Sequence, residues 1–369
     1  MKIPQLDLTR QYGLIEAEMD SAVHRVLRSG RFILGPEGES FENECAQYLG
    51  VRHAIGVASG SDALKLLLQA LGVGPDTEVV TPAFSFVASA TAALQVGARP
   101  VFADVDPATL TLDPDRAAAA ITPRTRAILA VHLYGLPADM GPLRALADAH
   151  GVPLLEDAAQ AFGATLGGRR VGSHGRAAAF SFYPTKNLGA YGDAGLVTTT
   201  DPGLAADLRL ARNHGETQKY SHARLGWTGR LDELQAAILR VKLRHLPEWT
   251  KARQTLALRY TAGLTGLPLV LPAERPGATH VFHQYTVRTP RRDALVTHLA
   301  AAGIGTACHY PLPIPAQPLF SDLGYDATAF PAAWAAAREV LSLPCFPELR
   351  TDEIDAVIAA VRDFFEGDS

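Results

Sequence analysis

The chain has 369 residues, 47% apolar and 20% charged, a globular mixture that excludes a disordered or collagen-like protein and leaves room for two domains or one large α/β unit. Its 34 basic and 38 acidic residues give a formal charge of -4, without the basic excess that a nucleic-acid partner calls for. Cys45, Cys308 and Cys345 stand far apart and no C-x-x-C occurs, so neither a disulfide framework nor a zinc site is expected. The amino terminus has no signal-like pattern, and no apolar run approaches the ~20 residues of a membrane helix. A soluble cytoplasmic protein with no membrane partner is the expectation.

Along the chain, short apolar runs alternate with helix-like stretches. HAIGVAS (53–59) precedes ALKLLLQAL (63–71), and TEVVTPA (77–83) precedes FVASATAALQVG (86–97). RPVFADV (99–105), a helix-like DPDRAAAAI and RAILAVHLYG (126–135) follow, then PLRALADAHG (142–151) and VPLLEDAA (152–159). Strands that are apolar throughout are buried on both faces, and their alternation with helices predicts a mostly parallel sheet covered by helices. Ligands of such sheets bind beyond the carboxyl ends of the strands.

The pattern changes after about residue 230. LDELQAAILRVKLRHL (231–246) has apolar residues at helical spacing, Pro247 is expected to end or kink that helix, and a second helix is expected from about Trp249 to Leu264. HVFHQYTVRTP, a helix to Gly303 and GIGTACHYP then suggest a smaller α+β unit. The expected division is a large domain over 1–246 and a small one over 247–369. PLPIPAQP (311–318) shapes a loop.

Three features bear on chemistry. Only six of the 34 basic residues are lysine, and Lys186 alone follows a buried-looking strand, AAAFSF (177–182), in the run YPTKNLGAYGDAG. An amine desolvated beyond a strand end is freed for Schiff-base chemistry; the alternative is a surface-loop lysine. Asp157, in LLEDAAQAFG, ends another apolar strand. Buried there it needs a cationic or donor partner, such as a protonated pyridine nitrogen, or it is a helix N-cap that Gln160 completes. In VASGSDALKLLL (57–68), Ser59-Gly60-Ser61 opens a helix whose first turn can hold a phosphate, unless its hydroxyls only cap it. Neither a Walker A motif nor G-x-G-x-x-G is present.

SGRFILGPEGESFE (29–42), VASGSDAL, EDAAQAFGA (156–164), FSFYPTKNLGAYGDAG (180–195), GRLDELQAA (229–237) and HYPLP (309–313) together resemble the DegT/StrS family of sugar-nucleotide aminotransferases. The resemblance runs from about Ile3 to the last helix. It implies the fold type I α/β architecture of aspartate aminotransferase and the cofactor pyridoxal 5'-phosphate (PLP). It further implies that Lys186 forms the Schiff base and shuttles protons, that Asp157 pairs with the pyridine nitrogen, and that Gln160 lies near the phenolic oxygen. Phe86 takes the place of an aromatic that stacks on the ring, or is a core residue. Gly60, Ser61 and Ser181 match phosphate ligands; Tyr183, His309 and Tyr310 match substrate-side positions.

The activity implied is transfer of an amino group, with L-glutamate as donor, to a nucleotide-linked keto-sugar in amino-sugar or polysaccharide biosynthesis. The run HGETQKY and the segment GRLDELQAAILRVKL are slightly closer to relatives acting at the third ring carbon. Lys186 argues against the family's sugar dehydratases, in which His replaces the lysine. Transamination without a sugar, or a regulatory protein that keeps the fold, are the alternatives. A homodimer with composite sites is also implied, because the segment before the long helix carries an Asn that reaches the neighbour's phosphate. Here Thr228 stands at that position, Ala194 replaces a usual Gly, and Pro315 stands where relatives often have His.

Overall fold

The computed structural model describes residues 2–367. Two helices come first, α1 (Leu8–Ser29) and α2 (Pro36–Leu49). The Asp7 carboxylate accepts from the Thr9 amide to start α1, and Gly30, at φ 65°, ends it in the left-handed region that favours glycine. The amino terminus of α2 has no cap of its own; the Glu233 carboxylate accepts from the amides of Gly35, Glu37 and Gly38 at 2.8–2.9 Å.

The expected alternation then appears: β1 (His53–Val57), α3 (Gly60–Ala70), β2 (Glu78–Pro82), α4 (Ala88–Gln95), β3 (Arg99–Ala103), α5 (Pro114–Ala120), β4 (Thr125–Val131), α6 (Met140–His150) and β5 (Leu154–Asp157). A small hairpin, β6 (Thr165–Leu166) and β7 (Arg169–Arg170), leads to β8 (Ala177–Ser181), β9 (Gly195–Thr199) and α7 (Pro202–Ala211). The main sheet has seven strands in the order β1-β9-β8-β5-β4-β2-β3. It is parallel from β8 to β3, and β9 runs antiparallel to both β1 and β8. Alternate residues serve opposite cores: on β8, Ala177 and Ala179 face one, Ala178 and Phe180 the other, as strands covered on both faces require.

After a short hairpin, β10 (Glu216–Gln218) and β11 (Ser221–His222), the chain enters α8 (Glu233–Leu264), one helix of 32 residues. It passes through Pro247, so the expected break and the separate second helix do not occur. A proline inside a helix costs ~3 kcal/mol, and buried Leu246 and Trp249 on either side, with Leu239 and Leu243 before them, offset that. The expected division at 246 therefore falls inside α8. Leu239, Leu243 and Leu246 join the core of the main sheet, whereas Ala257, Tyr260 and Leu264 join a second core.

The rest of the chain forms β12 (Ala278–Thr279), which pairs with β6, then β13 (Tyr285–Arg288), α9 (Arg292–Ala301), α10 (Pro331–Glu339), whose buried alanines pack in a separate cluster with Phe84 and Phe102, β14 (Val340–Leu343) and α11 (Thr351–Glu366). The second core is built mainly from the antiparallel β13–β14 pair, α8, α9 and α11. Ile3 also belongs to it: the Ile3 amide donates to the Gly303 carbonyl at 2.9 Å, and the Gly305 amide to the Ile3 carbonyl at 2.8 Å. Among the described residues no helix is long and apolar enough to cross a membrane, and none of the His, Cys, Asp and Glu side chains form a metal-binding group.

Candidate active site

A cavity of about 480 Å³ opens at the carboxyl ends of the parallel strands, between the main sheet and the second unit. Gly60, Ser61, Phe86, Asp157, Gln160, Ser181, Tyr183, Lys186, His309 and Tyr310 all line it. Thr228 does not; its hydroxyl lies 2.9 Å from the His214 ring Nε2 on an exposed part of the chain. Pro315 does not line it either, and Ala194 does.

Asp157 is the last residue of β5 and is 5% exposed. A turn follows it rather than a helix, which removes the N-cap reading. Its Oδ2 accepts from the Ser89 hydroxyl at 2.9 Å and its Oδ1 from the Ala159 amide at 3.2 Å. Burial pushes the carboxyl above its usual range, against these two bonds and the nearby Lys186 charge. Two donors are few for a buried carboxylate, so Asp157 has capacity for one more partner, preferably cationic.

Gln160 completes no cap. Its Oε1 accepts from the Tyr134 amide at 2.7 Å and its Nε2 donates to the Tyr310 hydroxyl at 3.1 Å. Tyr310 in turn packs on Phe86, ring centres 5.9 Å apart. Phe86 is 52% exposed, which removes the core reading for it. The backbone carbonyl of His309 accepts from the Tyr134 hydroxyl, and its ring Nδ1 lies 3.1 Å from the Ser342 hydroxyl on β14. The second unit thus supplies one wall of the cavity.

The opposite end is the start of α3. Ser59 takes the capping role, its hydroxyl accepting from the Asp62 amide at 3.0 Å. Ser61 is left exposed, with a hydroxyl that forms no hydrogen bond among the described residues. A Cβ on Gly60 would lie 2.6 Å from the Ser181 Cβ, so only glycine lets the end of β8 meet the first turn of α3. The result is a cradle of helix amides and two hydroxyls suited to a phosphate.

Lys186 lies on the loop between β8 and β9, its amide donating to the Tyr183 carbonyl at 2.8 Å. Its side chain lines the cavity, so it is not a solvent-facing loop lysine. Burial lowers its pKa from 10.5 to about 8, with Asp157 acting in the opposite direction. Phosphate cradle, aromatic face, unfilled buried carboxylate and an amine of lowered pKa occur in one cavity, and this donor set fits PLP.

Sequence reading alone missed Ser89, 68 positions from the carboxylate it binds, and the cavity residues Ser85, Asp193, His283 and Gln284. Ser85 and Ser89 flank Phe86, and that serine spacing was the one available signal. No local pattern marks His283.

Comparison with known proteins agrees with this geometry. The model of the DegT/DnrJ/EryC1/StrS aminotransferase family matches residues 14–362. The chain is 50% identical over 366 residues to a dTDP-3-amino-3,4,6-trideoxy-alpha-D-glucose transaminase of Streptomyces venezuelae, covering 99% of this chain and 97% of that protein. It is 48% identical over 368 residues to a pleiotropic regulatory protein of Geobacillus stearothermophilus, covering 99% of each. Among solved structures, S. venezuelae DesV in complex with a ketimine intermediate superposes with a TM-score of 0.97 at 51% identity, covering 99% of both chains. The chain belongs to the DegT/DnrJ/EryC1/StrS family of PLP-dependent, fold type I aminotransferases.

Proposed function

We propose that this protein transfers an amino group from L-glutamate to a nucleotide-linked keto-sugar. The observation that carries the reading is the pairing of Lys186 with Asp157 in one cavity whose far end is the Gly60–Ser61–Ser181 cradle. PLP, when bound, supplies the electron sink. The cradle would hold its phosphate, and Asp157 would keep its ring nitrogen protonated. Phe86 would offer the ring a stacking face, and Gln160 would serve its phenolic oxygen. Lys186, whose pKa is about 8, carries a proton to and from the reacting carbon near neutral pH. Tyr183, His309 and Tyr310 face the sugar.

The similarity to a transaminase named for a 3-amino sugar supports amination at the third ring carbon. No arginine lines the cavity among the described residues, which disfavours a general amino-acid transaminase built around a carboxylate clamp. On this reading, recognition of the donor's carboxylates falls to the neighbouring subunit of a homodimer. Exposed Phe32, Ile33 and Leu34 support that dimer. They lie beside the segment that carries Thr228, with Ile33 bridged to Asp232 and the Glu233 amide donating to the Phe32 carbonyl.

The relative named as a regulatory protein keeps open a binding role without turnover. One experiment separates the readings. The purified protein should show a visible absorption band that L-glutamate bleaches and a nucleotide keto-sugar restores, with the amino-sugar identified by mass and NMR. Borohydride should fix PLP on the peptide containing Lys186. A band indifferent to glutamate, or label on another lysine, overturns the proposal.

A further inference from the structure

His283 lines the same cavity and is 6% exposed, yet none of the roles above uses it. Its backbone is clamped to the main unit. The Val281 amide donates to the Gly135 carbonyl at 3.1 Å, and the Gln284 amide to the Tyr134 carbonyl at 3.3 Å. Gly135, at φ 101°, permits this approach, because a Cβ there would lie 3.1 Å from the His283 nitrogen.

The state of the ring follows from its neighbour. Asn187, the residue after Lys186, donates its Nδ2 to the Val281 carbonyl at 2.9 Å. Its amide orientation is thereby settled, and its Oδ1 is the atom that faces His283 Nδ1, at 3.2 Å. An amide oxygen only accepts, so Nδ1 carries the proton and Nε2 is a bare acceptor. Nε2 has no hydrogen-bond partner among the described residues, and neither has Lys186 Nζ. An unused acceptor and an unused donor therefore line one cavity, on residues linked through Asn187.

We propose that His283 is a positioning residue for Lys186: its ring, held as the Nδ1–H tautomer by Asn187, offers Nε2 as the acceptor toward which the Lys186 side chain turns one hydrogen of its free amine within the shared cavity, and so directs the amine's lone pair. The idea rests on the reading of Lys186 as the reacting amine. The groups around the ring keep it neutral. Burial acts first, then the charges of Lys186 on its loop, Arg253 on α8, His309 on the segment before the proline loop, and His280 on its own segment. Asp157 faces Lys186 from β5. A neutral imidazole leaves Nε2 free to accept throughout the neutral range.

The test uses the full-length protein stripped of cofactor. The pH dependence of Lys186 acetylation by acetic anhydride, followed by mass spectrometry, reports the midpoint of the amine. An acceptor favours the ammonium form and raises that midpoint. His283→Asn keeps a donor toward Asn187 but has no atom at the Nε2 position. It should lower the midpoint by about one pH unit, a tenfold change in the proton equilibrium. His283→Gln, whose amide oxygen reaches the Nε2 position, should restore most of the shift, and the acidic limb of the kcat profile should follow the same order. An unchanged midpoint in a folded His283→Asn protein, or full recovery of wild-type behaviour by Asn alone, overturns the proposal and leaves His283 a tether for the loop. Borohydride label on another lysine would instead break the proposed function, and the acetylation profile would still report whether His283 touches the amine.

Discussion

Glu156 and Asp157 are consecutive, buried, and on opposite faces of β5, and they are not equally supplied. Glu156 accepts from the amides of Gly172, His174 and Gly175 at 2.7–2.8 Å. It also accepts from His132 Nε2 at 3.0 Å. His132 Nδ1 takes the Ala138 amide hydrogen, so the imidazole proton sits on Nε2 and points at the carboxylate. Burial acts against ionisation, but these four donors hold the Glu156 carboxyl below its usual range. Asp157 has two donors, and burial prevails. A buried carboxylate whose acceptor sites are filled by its own chain holds structure together. One left short of donors has room for a further partner, and the proposed function gives that place to the ring nitrogen of the cofactor.

The comparison can be broken or sharpened by substitution. The largest effect is expected at the amine that faces the unfilled carboxylate. Lys186→Ala should reduce turnover by ~10³-fold or more, while PLP still binds through Gly60, Ser61, Ser181 and Asp157. Equilibrium dialysis alongside steady-state rates would show the split, and a variant that loses PLP as completely as activity would contradict it.

Asp157→Asn should reduce turnover by ~10²-fold or more, with an opposite effect on stability in the two states. The raised pKa means that ionised Asp157 is a liability in the cofactor-free protein at pH 7. Removing the charge should leave the melting temperature of that form unchanged or higher, whereas the PLP-loaded form should melt below wild type. A lower melting temperature in both forms would place Asp157 in the same class as Glu156.

For Glu156→Gln the expectation is reversed. The new amide group would face donors, so folding should weaken by ~3–5 kcal/mol, read by urea denaturation, with little change in kcat for the fraction that folds. The sign of the pH effect follows from the lowered pKa. Glu156 contributes stability above its unfolded value of about 4.5, and that contribution is lost as pH falls through the lower folded value. The wild type should therefore lose more stability than the variant on acidification below about pH 4.5.

The smallest effect is expected at Thr228→Val. If the hydroxyl reaches the neighbouring subunit's phosphate, its loss removes a hydrogen bond to a charged group worth ~1.5–3 kcal/mol. PLP affinity should then fall about tenfold or more with the dimer intact. Unchanged affinity would confine Thr228 to its contact with His214.

Much of this is legible in the amino-acid sequence. An apolar strand ending in Asp157 and the run AAAFSF (177–182), with Lys186 just beyond, suffice to place the chemistry at the carboxyl ends of a parallel sheet, because the periodicity and the strand-end rule are local. The direction of β9 was not readable, since an apolar run looks the same in either direction. Pro247 misled, because local preference says nothing of the packing on both sides of α8 that overrides it. Ser89 and His283 were invisible for a third reason. Their partners lie 68 and 96 positions away, and only the fold brings them together. Thr228 depends on a second chain, which a single sequence does not display.

The bridge from Ile3 to Gly303 and Gly305 has a consequence in time. Ribosomes add about 5–20 residues per second, so some 300 residues separate the making of Ile3 from that of its partners, an interval of about 15–60 s. Throughout it Ile3 has no native place to go, although the last strand of the main sheet ends at Thr199. The second unit cannot close until Ile3 and the segment around Gly303 and Gly305 are both present. A ribosome stalled before residue 303 holds a nascent chain that already contains Lys186 and Asp157 but neither the second core nor the His309–Tyr310 wall, a species for chaperones rather than for the cofactor.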